Sequence, residues 1–325
     1  MQKETWAEMM VTKLRLITQH VMFFALTYGG RFGIRFGHSL PCFSCPYVSG
    51  CGGSCYLMAL QGNWWGLQMS TTDMMTAMGL ESLAHLGIFI LLVILLNKFW
   101  CGWICPFGVV QDWLTYLRRR LAIHEAQFRW LTRDRLKTVK WILLAYLLIV
   151  PLLIAHAGGH YDLHLPFCRS ICPAKPLMPL FVGNVRHLAL DFTNAVTLLF
   201  TILSVTIAGG MLVGMFFKER FFCLFCPMLV LIHIFRKISP VRFEKNVDGC
   251  IGCGNCQRMC PMDIRAVHEQ KTDKNVLSED CLLCMNCTEA CPGDEVLSIR
   301  FFKWRLFASS RNYVARRFAQ RQRLS

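Results

Sequence analysis

Cys250-Ile-Gly-Cys253-Gly-Asn-Cys256-Gln-Arg-Met-Cys260-Pro261 and its echo Cys281-Leu-Leu-Cys284-Met-Asn-Cys287-Thr-Glu-Ala-Cys291-Pro292 share one spacing: two, two and three residues between cysteines, then a proline. Thiolates this close on a tight loop wrap three corners of one iron-sulfur cube, and in two-cluster ferredoxins the fourth cysteine of each run ligates the other cube. The spacing predicts one 4Fe-4S cluster on Cys250, Cys253, Cys256 and Cys291 and a second on Cys281, Cys284, Cys287 and Cys260. Zinc ribbons also use Cys-x2-Cys pairs, but a duplicated four-cysteine run with a trailing proline is not their pattern. Thiolate clusters carry one electron at a time at a potential set by their surroundings.

Outward from these runs the composition changes the class of molecule. The chain has 325 residues, a mean hydropathy of +0.39 and 54% hydrophobic residues, too apolar for an ordinary soluble fold. Four stretches, 14–30, 83–100, 141–157 and 192–217, approach the length that crosses ~30 Å of hydrocarbon at ~1.5 Å per residue. The expected fold is mainly α: a four-helix transmembrane domain of two repeated hairpins over 1–239, an α+β 2x(4Fe-4S) ferredoxin domain over 240–300, and a basic tail over 301–325. Lys and Arg are absent between Arg35 and Lys98, then crowd the segment from Lys98 to Lys140, and after the fourth stretch they recur at Lys218, Arg220, Arg236, Lys237, Arg242 and Lys245. By the positive-inside rule both termini and the ferredoxin runs are cytoplasmic, in a multi-pass inner-membrane protein. The net charge of +15 is largely accounted for by this topology and by the tail, so no nucleic-acid partner is needed. The tail's counterpart is lipid headgroups, an acidic redox partner or only solvent. Lys3, Lys13 and Arg15 precede an apolar run with no small-residue cleavage site after it, which reads as an uncleaved anchor.

The part before Pro240 reads as written twice. His38-Ser-Leu-Pro-Cys42-Phe-Ser-Cys45-Pro46 pairs with His164-Leu-Pro-Phe-Cys168-Arg-Ser-Ile-Cys172-Pro173 on the outer side. Trp100-Cys101-Gly-Trp-Ile-Cys105-Pro106 pairs with Phe222-Cys223-Leu-Phe-Cys226-Pro227 at the inner ends. Packed about a twofold axis along the membrane normal, Cys101, Cys105, Cys223 and Cys226 supply the four thiolates of a third cluster at the cytoplasmic face. Cys101 and Cys105 are four apart, so a continuing helix would point them from one face. Outside, Cys42 and Cys45 would join Cys168 and Cys172, leaving Cys51 and Cys55 without repeat counterparts. Two other readings stay open: a local cluster on Cys42, Cys45, Cys51 and Cys55, turned by Gly50, Gly52 and Gly53, or a Cys51–Cys55 disulfide.

From Trp100 to Asp112 the string Trp-Cys-Gly-Trp-Ile-Cys-Pro-Phe-Gly-Val-Val-Gln-Asp resembles the membrane polyferredoxins typified by NapH, NosR and the CcoG assembly factors, as does the Arg15-x4-His20 region. The resemblance covers the spans, the Cys-Pro motifs and the terminal double run. It implies electron transfer between cytoplasmic donors or the quinone pool and redox subunits on the periplasmic side, as an electron-transfer subunit of an oxidoreductase complex. CcoG-like members imply instead a copper reductase or oxidase-assembly factor, and a redox sensor is a further rival. The six outer cysteines have no place in that family's pattern.

Clusters at opposite faces would stand apart by much of the ~30 Å slab, so a bridge is looked for among the remaining residues. His38, His85, His156, His160, His164 and His187 offer imidazoles to a b-type haem or satisfy loop backbone. His20 is a candidate quinone contact or a helix-contact residue. Arg31 and Arg35, four apart on one helix face, neutralise an anionic cluster or quinone oxygen, or snorkel to headgroups. Met69, Met74, Met75 and Met78 suit Cu(I), or lie with Trp64 and Trp65 on an interfacial helix. Gly210-x3-Gly214 permits close helix contact. No nucleophile-base pair, phosphate-binding glycine loop or nicotinamide fingerprint stands out, so catalytic residues are not assigned.

Overall fold

The computed structural model describes residues 11–44, 51–68, 77–126, 130–156, 165, 167–272 and 274–312. The chain divides into two compact units. One contains the residues through Gln19, Val93–Trp103 and the chain from Ile232 onward; the other contains His20–Leu92 and Ile104–Leu231.

In the first unit, strands β3 (Val241–Lys245), β4 (Leu297–Phe301) and β5 (Trp304–Ala308) form one antiparallel sheet in that order. Val241 faces Phe301 and Lys245 faces Leu297 across the first ladder. Alternation in β3 buries Val241, Phe243 and Lys245 on the side covered by the cysteine runs. The sheet continues to Ala308, so the expected domain end after residue 300 falls inside a β-hairpin; residues 313–325 of the basic tail lie outside the described residues.

Each cysteine run ends in one short helix turn, α9 (Asn255–Arg258) and α11 (Asn286–Ala290), with α10 (Ala266–Glu269) between them. The runs share a backbone as well as a spacing. Gly252 and Gly254 in the first, and Leu283 and Met285 in the second, have positive φ at the same two positions. Glycine takes that conformation freely, whereas Leu283 and Met285 hold it against sterics because both are buried.

The second unit is helical, built from α2 (Tyr56–Gln68), α4 (Pro106–Arg120), α5 (Trp130–His156), α6 (Ala174–Leu177), α7 (Ala195–Phe217) and most of α3 (Ala77–Leu96). Helix α1 (Val11–Tyr28) enters this unit at His20, and α8 (Pro227–Ile234) begins in it. A parallel pair, β1 (Gly37–Leu40) and β2 (Gly53–Cys55), carries the loop before α2. Gly52 donates its N–H to Leu26 at 2.8 Å, and a Cβ there would run into the Ala25 carbonyl. That glycine serves a close approach to α1.

The four expected spans each coincide with a long helix, at shifted ends. Among the described residues one helix, Ala195–Phe217, is long and apolar enough to cross a membrane, and Leu80–Leu96 is apolar but shorter. Polar residues account for the other two: α1 includes Lys13, Arg15 and His20, and α5 opens with Arg133, Asp134, Arg135 and Lys137. Two sequence expectations fail locally. Gly33, at φ 76°, follows the tight turn Gly29–Phe32, so Arg31 and Arg35 do not share a helix face; both are exposed. Cys101 and Cys105 likewise do not lie on one α-helical face. Asn97 turns the chain at φ 42°, Trp100–Ile104 forms a wide π-type turn, and Cys105 leaves helical geometry before Pro106 starts α4.

Candidate iron-sulfur centres

The sheet and short helices of the first unit gather its thiols into two groups. Cys250, Cys253, Cys256 and Cys291 line one cavity with Lys245, Gly249 and Pro292. Cys260, Cys281, Cys284 and Cys287 line a second, with Cys256 at its edge and Phe243, Leu282 and Ile299 as its apolar wall. Each group thus takes three thiols from one run and its fourth from the other. Burial, and next the neighbouring Cys284 thiol, pushes Cys260 up to about 12; burial pushes Cys281 to the same value. Thiols so held keep their protons at neutral pH until a metal displaces them.

Both groups have a buried cation beside them. Lys245 donates to the carbonyls of Val267, His268 and Gln270 at 2.8–3.0 Å and acts on Cys256. Lys98, fully buried, donates to the Glu279 carbonyl at 2.8 Å and acts on Cys281. A four-thiolate iron cube is anionic, so donor sets with a cation beside each of them fit such a group.

The Cys101 turn packs on the second of these groups. Trp103 donates its indole N–H to the Leu283 carbonyl at 3.0 Å, and a Cβ on Gly102 would run into the Leu282 carbonyl. The start of α1 joins them: Glu289 accepts from the Thr12 N–H at 2.7 Å and from its hydroxyl, Arg15 donates to the Cys284 carbonyl at 3.3 Å, and Gln19 donates to the Gly102 carbonyl at 2.8 Å. A carboxylate at a helix N-terminus is favourably placed. No sequence signal marked Glu289 or Trp103 for this role beyond their neighbours.

In the second unit Cys105 and Cys223 sit near Arg220, with Gln111 and Asp112 beside Cys223, and Cys226, three residues on from Cys223, is buried as well. Buried Gln111 donates to the Cys223 sulfur at 3.6 Å and accepts from the Phe222 N–H at 3.0 Å. Arg220, bonded to Asp112, lies 2% exposed and acts on both Cys105 and Cys223. Burial raises Cys223 to about 11, against that guanidinium.

A second gathering involves the cysteines expected outside. Cys55, Cys168 and Cys172 line one cavity with Phe43, Ser44, Met58 and Lys175. Cys55 interacts with Cys168, Cys42 and Cys172, all four being buried. Cys51 is half-buried, its thiol held by the Gly53 backbone; Cys45 lies outside the described residues. Cys51 and Cys55 are both free thiols, not a disulfide.

The expected separation of the inner and outer thiols is overturned. The Phe43 backbone, next to Cys42, hydrogen-bonds the Cys105 thiol. The Phe43 ring meets Phe222 edge-on at 5.1 Å between centroids, and Phe222 meets Phe107 at 4.7 Å. These two groups are neighbours through one aromatic layer, which the alternation of charge along the chain could not reveal.

The family comparison follows this geometry. A 4Fe-4S binding domain matches twice, over residues 78–124 and 200–246, and a 4Fe-4S dicluster domain matches residues 242–292. The NosR-like 4Fe-4S electron-transfer family read from the sequence is borne out. The chain is 28% identical over 178 residues to YccM of Escherichia coli, whose name assigns it provisionally to electron transport; the match covers 54% of this chain and 44% of the relative. It is 26% identical over 185 residues to the regulatory protein NosR of Pseudomonas aeruginosa, covering 56% of this chain and 22% of NosR. MauN, a methylamine utilization ferredoxin-type protein of Methylorubrum extorquens, is 28% identical over 169 residues, 50% of this chain and 47% of MauN. The chain therefore spans less than half the length of these three relatives. No solved structure matches it.

Among the described residues, His20, His38 and His85 are held by ordinary contacts. The His20 Nε2 accepts from the Trp113 indole at 2.9 Å, which is the helix-contact role. His85 Nδ1 and the Ser39 hydroxyl share a hydrogen bond at 2.8 Å, and His38 Nδ1 bonds Ser54. His187 lies in a short turn, Arg186–Leu188. His160, His164, Met69, Met74 and Met75, and the side chains of His156, Met78, Trp64 and Trp65, lie outside the described residues.

Proposed function

We propose that this polyferredoxin relays electrons through its thiol-held clusters between a donor or acceptor at the ferredoxin runs and a partner reached through the membrane half. Two 4Fe-4S clusters are assigned to the thiol groups of the first unit, on Cys250, Cys253, Cys256 and Cys291 and on Cys281, Cys284, Cys287 and Cys260. A third is assigned to Cys105, Cys223 and Cys226. When bound, such clusters supply reversible one-electron exchange. The protein's own share is to hold the thiols, bury them, and set a cation beside each group.

The observation that carries this reading is the seating of the Cys101 turn on the second ferredoxin group through Trp103 and Gly102. A free-standing ferredoxin has no use for a buried tryptophan and lysine contributed from 180 residues upstream; a relay does. Membrane insertion is supported by rows of exposed apolar side chains on all four long helices, such as Ile17, Val21 and Phe24 on α1, Leu83 and Leu91 on α3, Ile142 and Leu153 on α5, and Leu199 and Val213 on α7. In α7 only 11% of the apolar window is buried, unlike a soluble core helix. The redox partner on that side is a quinone or a periplasmic-side subunit, and both termini are taken as cytoplasmic.

The test is anaerobic purification of the whole chain with an EPR-monitored redox titration, followed by quinone reduction or oxidation in membranes. Recovery only with detergent, interacting signals from the ferredoxin pair, and loss of quinone turnover in Cys281→Ser are expected. A detergent-free protein whose turnover survives that substitution overturns the reading.

A further inference from the structure

We propose that Cys42, Cys55, Cys168 and Cys172 hold a fourth iron-sulfur cluster, in a site that is a second copy of the one around Cys105 and Cys223, with Gln61 and Gln111 as corresponding positioning residues. The proposal rests on the reading of the other thiol groups as cluster sites.

The two sites are alike in one cysteine-glutamine pair and one clamped Phe-Cys dipeptide, and they differ in the remaining thiol, which is Cys42 here and not Cys51, the sequence counterpart of Cys101. Gln61 follows Cys55 by six positions, as Gln111 follows Cys105 by six. Each cysteine ends a Cys-x3-Cys pair, Cys51 with Cys55 and Cys101 with Cys105, and each is followed at once by a helix, α2 or α4. Gln61 donates to the carbonyl four residues back, Leu57, at 3.0 Å; Gln111 does the same to Phe107 at 3.5 Å. Gln61 then donates to the Cys168 sulfur at 3.1 Å and accepts from the Phe167 N–H at 3.2 Å. Gln111 donates to the Cys223 sulfur at 3.6 Å and accepts from the Phe222 N–H at 3.0 Å. In both sites one buried amide clamps a Phe-Cys dipeptide from a segment more than a hundred residues away, and that segment closes with Cys-Pro, Cys172-Pro173 or Cys226-Pro227.

Each site also has a cation. Lys175, whose ammonium donates to the Arg169 carbonyl at 3.3 Å, acts on Cys168 and Cys172; Arg220 acts on Cys105 and Cys223. The Cys105 and Cys223 segments each fall within a matched 4Fe-4S binding domain, whereas the Cys42, Cys55 and Cys168 segments fall in none. The copy therefore extends a known kind of site to thiols that no family pattern covers. It also supplies the repeat counterparts for Cys51 and Cys55 that the sequence pairing left out.

The donor chemistry selects a cluster over its competitors. Four buried thiols, at 2%, 7%, 8% and 7% exposure for Cys42, Cys55, Cys168 and Cys172, line or adjoin one cavity. Cys55 shares its cavity with both Cys168 and Cys172, so no single disulfide accounts for the group. The cavity's lining offers thiols with no imidazole or carboxylate, the ligand set a cube takes.

The test is iron and acid-labile sulfide per chain, with an EPR redox titration, on the whole chain purified anaerobically. About sixteen irons are expected for the unaltered chain and about twelve for Cys55→Ser, Cys168→Ser and Cys42→Ser, counting about four per cube, with Cys51→Ser unchanged. About twelve irons in the unaltered chain, or loss of four irons in Cys51→Ser but not in Cys42→Ser, overturns the assignment. Gln61→Leu keeps every thiol, so it reads the site even where a cysteine variant fails to fold. Its expected result is one midpoint moved to lower potential with the others fixed, because an N–H donor to sulfur favours the reduced, more negative cluster; no movement counts against the proposal. If Cys250→Ser also leaves the iron count unchanged, the functional reading itself has failed; if only the Cys168 series is silent, the fourth cluster alone is lost.

Discussion

The ferredoxin thiols and the thiols of the helical unit solve the same problem in opposite ways. In the first, three ligands come from a run of seven residues and only the fourth is borrowed, so loop geometry does most of the positioning, with Gly252, Gly254, Leu283 and Met285 turning the chain at positive φ. In the second, no three cysteines are local. Cys55 meets Cys168 and Cys105 meets Cys223 only because α2, α4 and the following helices fold back, and one glutamine in each site ties the distant segments together. The difference predicts that losing one ligand leaves the other loop-built group standing, whereas the assembled groups fail as units.

The largest effect expected is ligand loss. Cys260→Ser is expected to remove the cluster of Cys281, Cys284 and Cys287 while leaving that of Cys250, Cys253 and Cys256, because Cys260 faces the other run's cavity. Iron falls by about four per chain, and EPR loses the magnetic interaction of the pair. Bleaching of the Cys250 group instead would break the crossed assignment. Cys223→Ser is expected to cost about as much iron, and in addition to lower the thermal midpoint of the helical unit, a penalty the loop-built group should not share.

Next in size is Gly102→Ala. The added Cβ meets the Leu282 carbonyl, a backbone atom that cannot rotate away, so overpacking of about 1–3 kcal/mol follows. Urea-induced bleaching of the cluster absorbance measures it. An unchanged midpoint would show that the Cys101 turn is not seated on the ferredoxin loop.

A smaller effect of the same kind tests the assembled unit away from any thiol. Glu125 accepts from Lys218 at 2.9 Å and Arg118 at 3.1 Å, two cations buried to 4% and 2% exposure. Burial alone would raise the Glu125 carboxyl, but the Lys218 and Arg118 partners win and hold it below its ordinary value. A depressed folded value means stability that is complete above the ordinary carboxylate range and is lost as pH falls through the folded value. Glu125→Gln is expected to cost about 1–3 kcal/mol at neutral pH and to flatten the acid limb of a stability-against-pH curve. A variant with the same acid limb as the parent would remove the ion pair from the account.

What the chain discloses about itself follows the same division. The double ferredoxin run was legible because its ligands are local, and spacing alone encodes a loop-built cube. The four long helices were legible as apolar lengths, although Asn97 and Gly33 moved their ends by backbone conformations that hydropathy does not carry. The assembled sites were only half legible. Pairing Cys42 and Cys45 with Cys168 and Cys172 followed a shared Leu-Pro wording; Cys42 does lie with Cys168 and Cys172, Cys45 is outside the described residues, and the wording gave no hint of the further likeness of Cys55 to Cys105 through Gln61 and Gln111. Glutamines give no motif signal, and their equivalence shows only when the Phe167 and Phe222 amides are seen to point at them. The distance expected between inner and outer thiols failed for a similar reason: charge patterning assigns loops to sides but does not register a loop folding inward to place Phe43 on Cys105.

The finest test compares the two glutamines directly. Gln61 reaches its sulfur at 3.1 Å and Gln111 at 3.6 Å, and a hydrogen bond to sulfur weakens with distance. A weak bond of about 0.5 kcal/mol corresponds to roughly 20 mV in a one-electron couple, so Gln111→Leu is expected to move its cluster's midpoint by no more than that, downward. Gln61→Leu should move its own by more. Arg220 and Lys175 remain in place in both variants, so the difference isolates the amide. If Gln111→Leu produces the larger shift, the shorter bond is not the stronger one, and the ranking of the two copies is reversed while their equivalence stands. If each variant shifts both midpoints together, the layer of Phe43, Phe222 and Phe107 couples the two sites more strongly than either glutamine tunes its own.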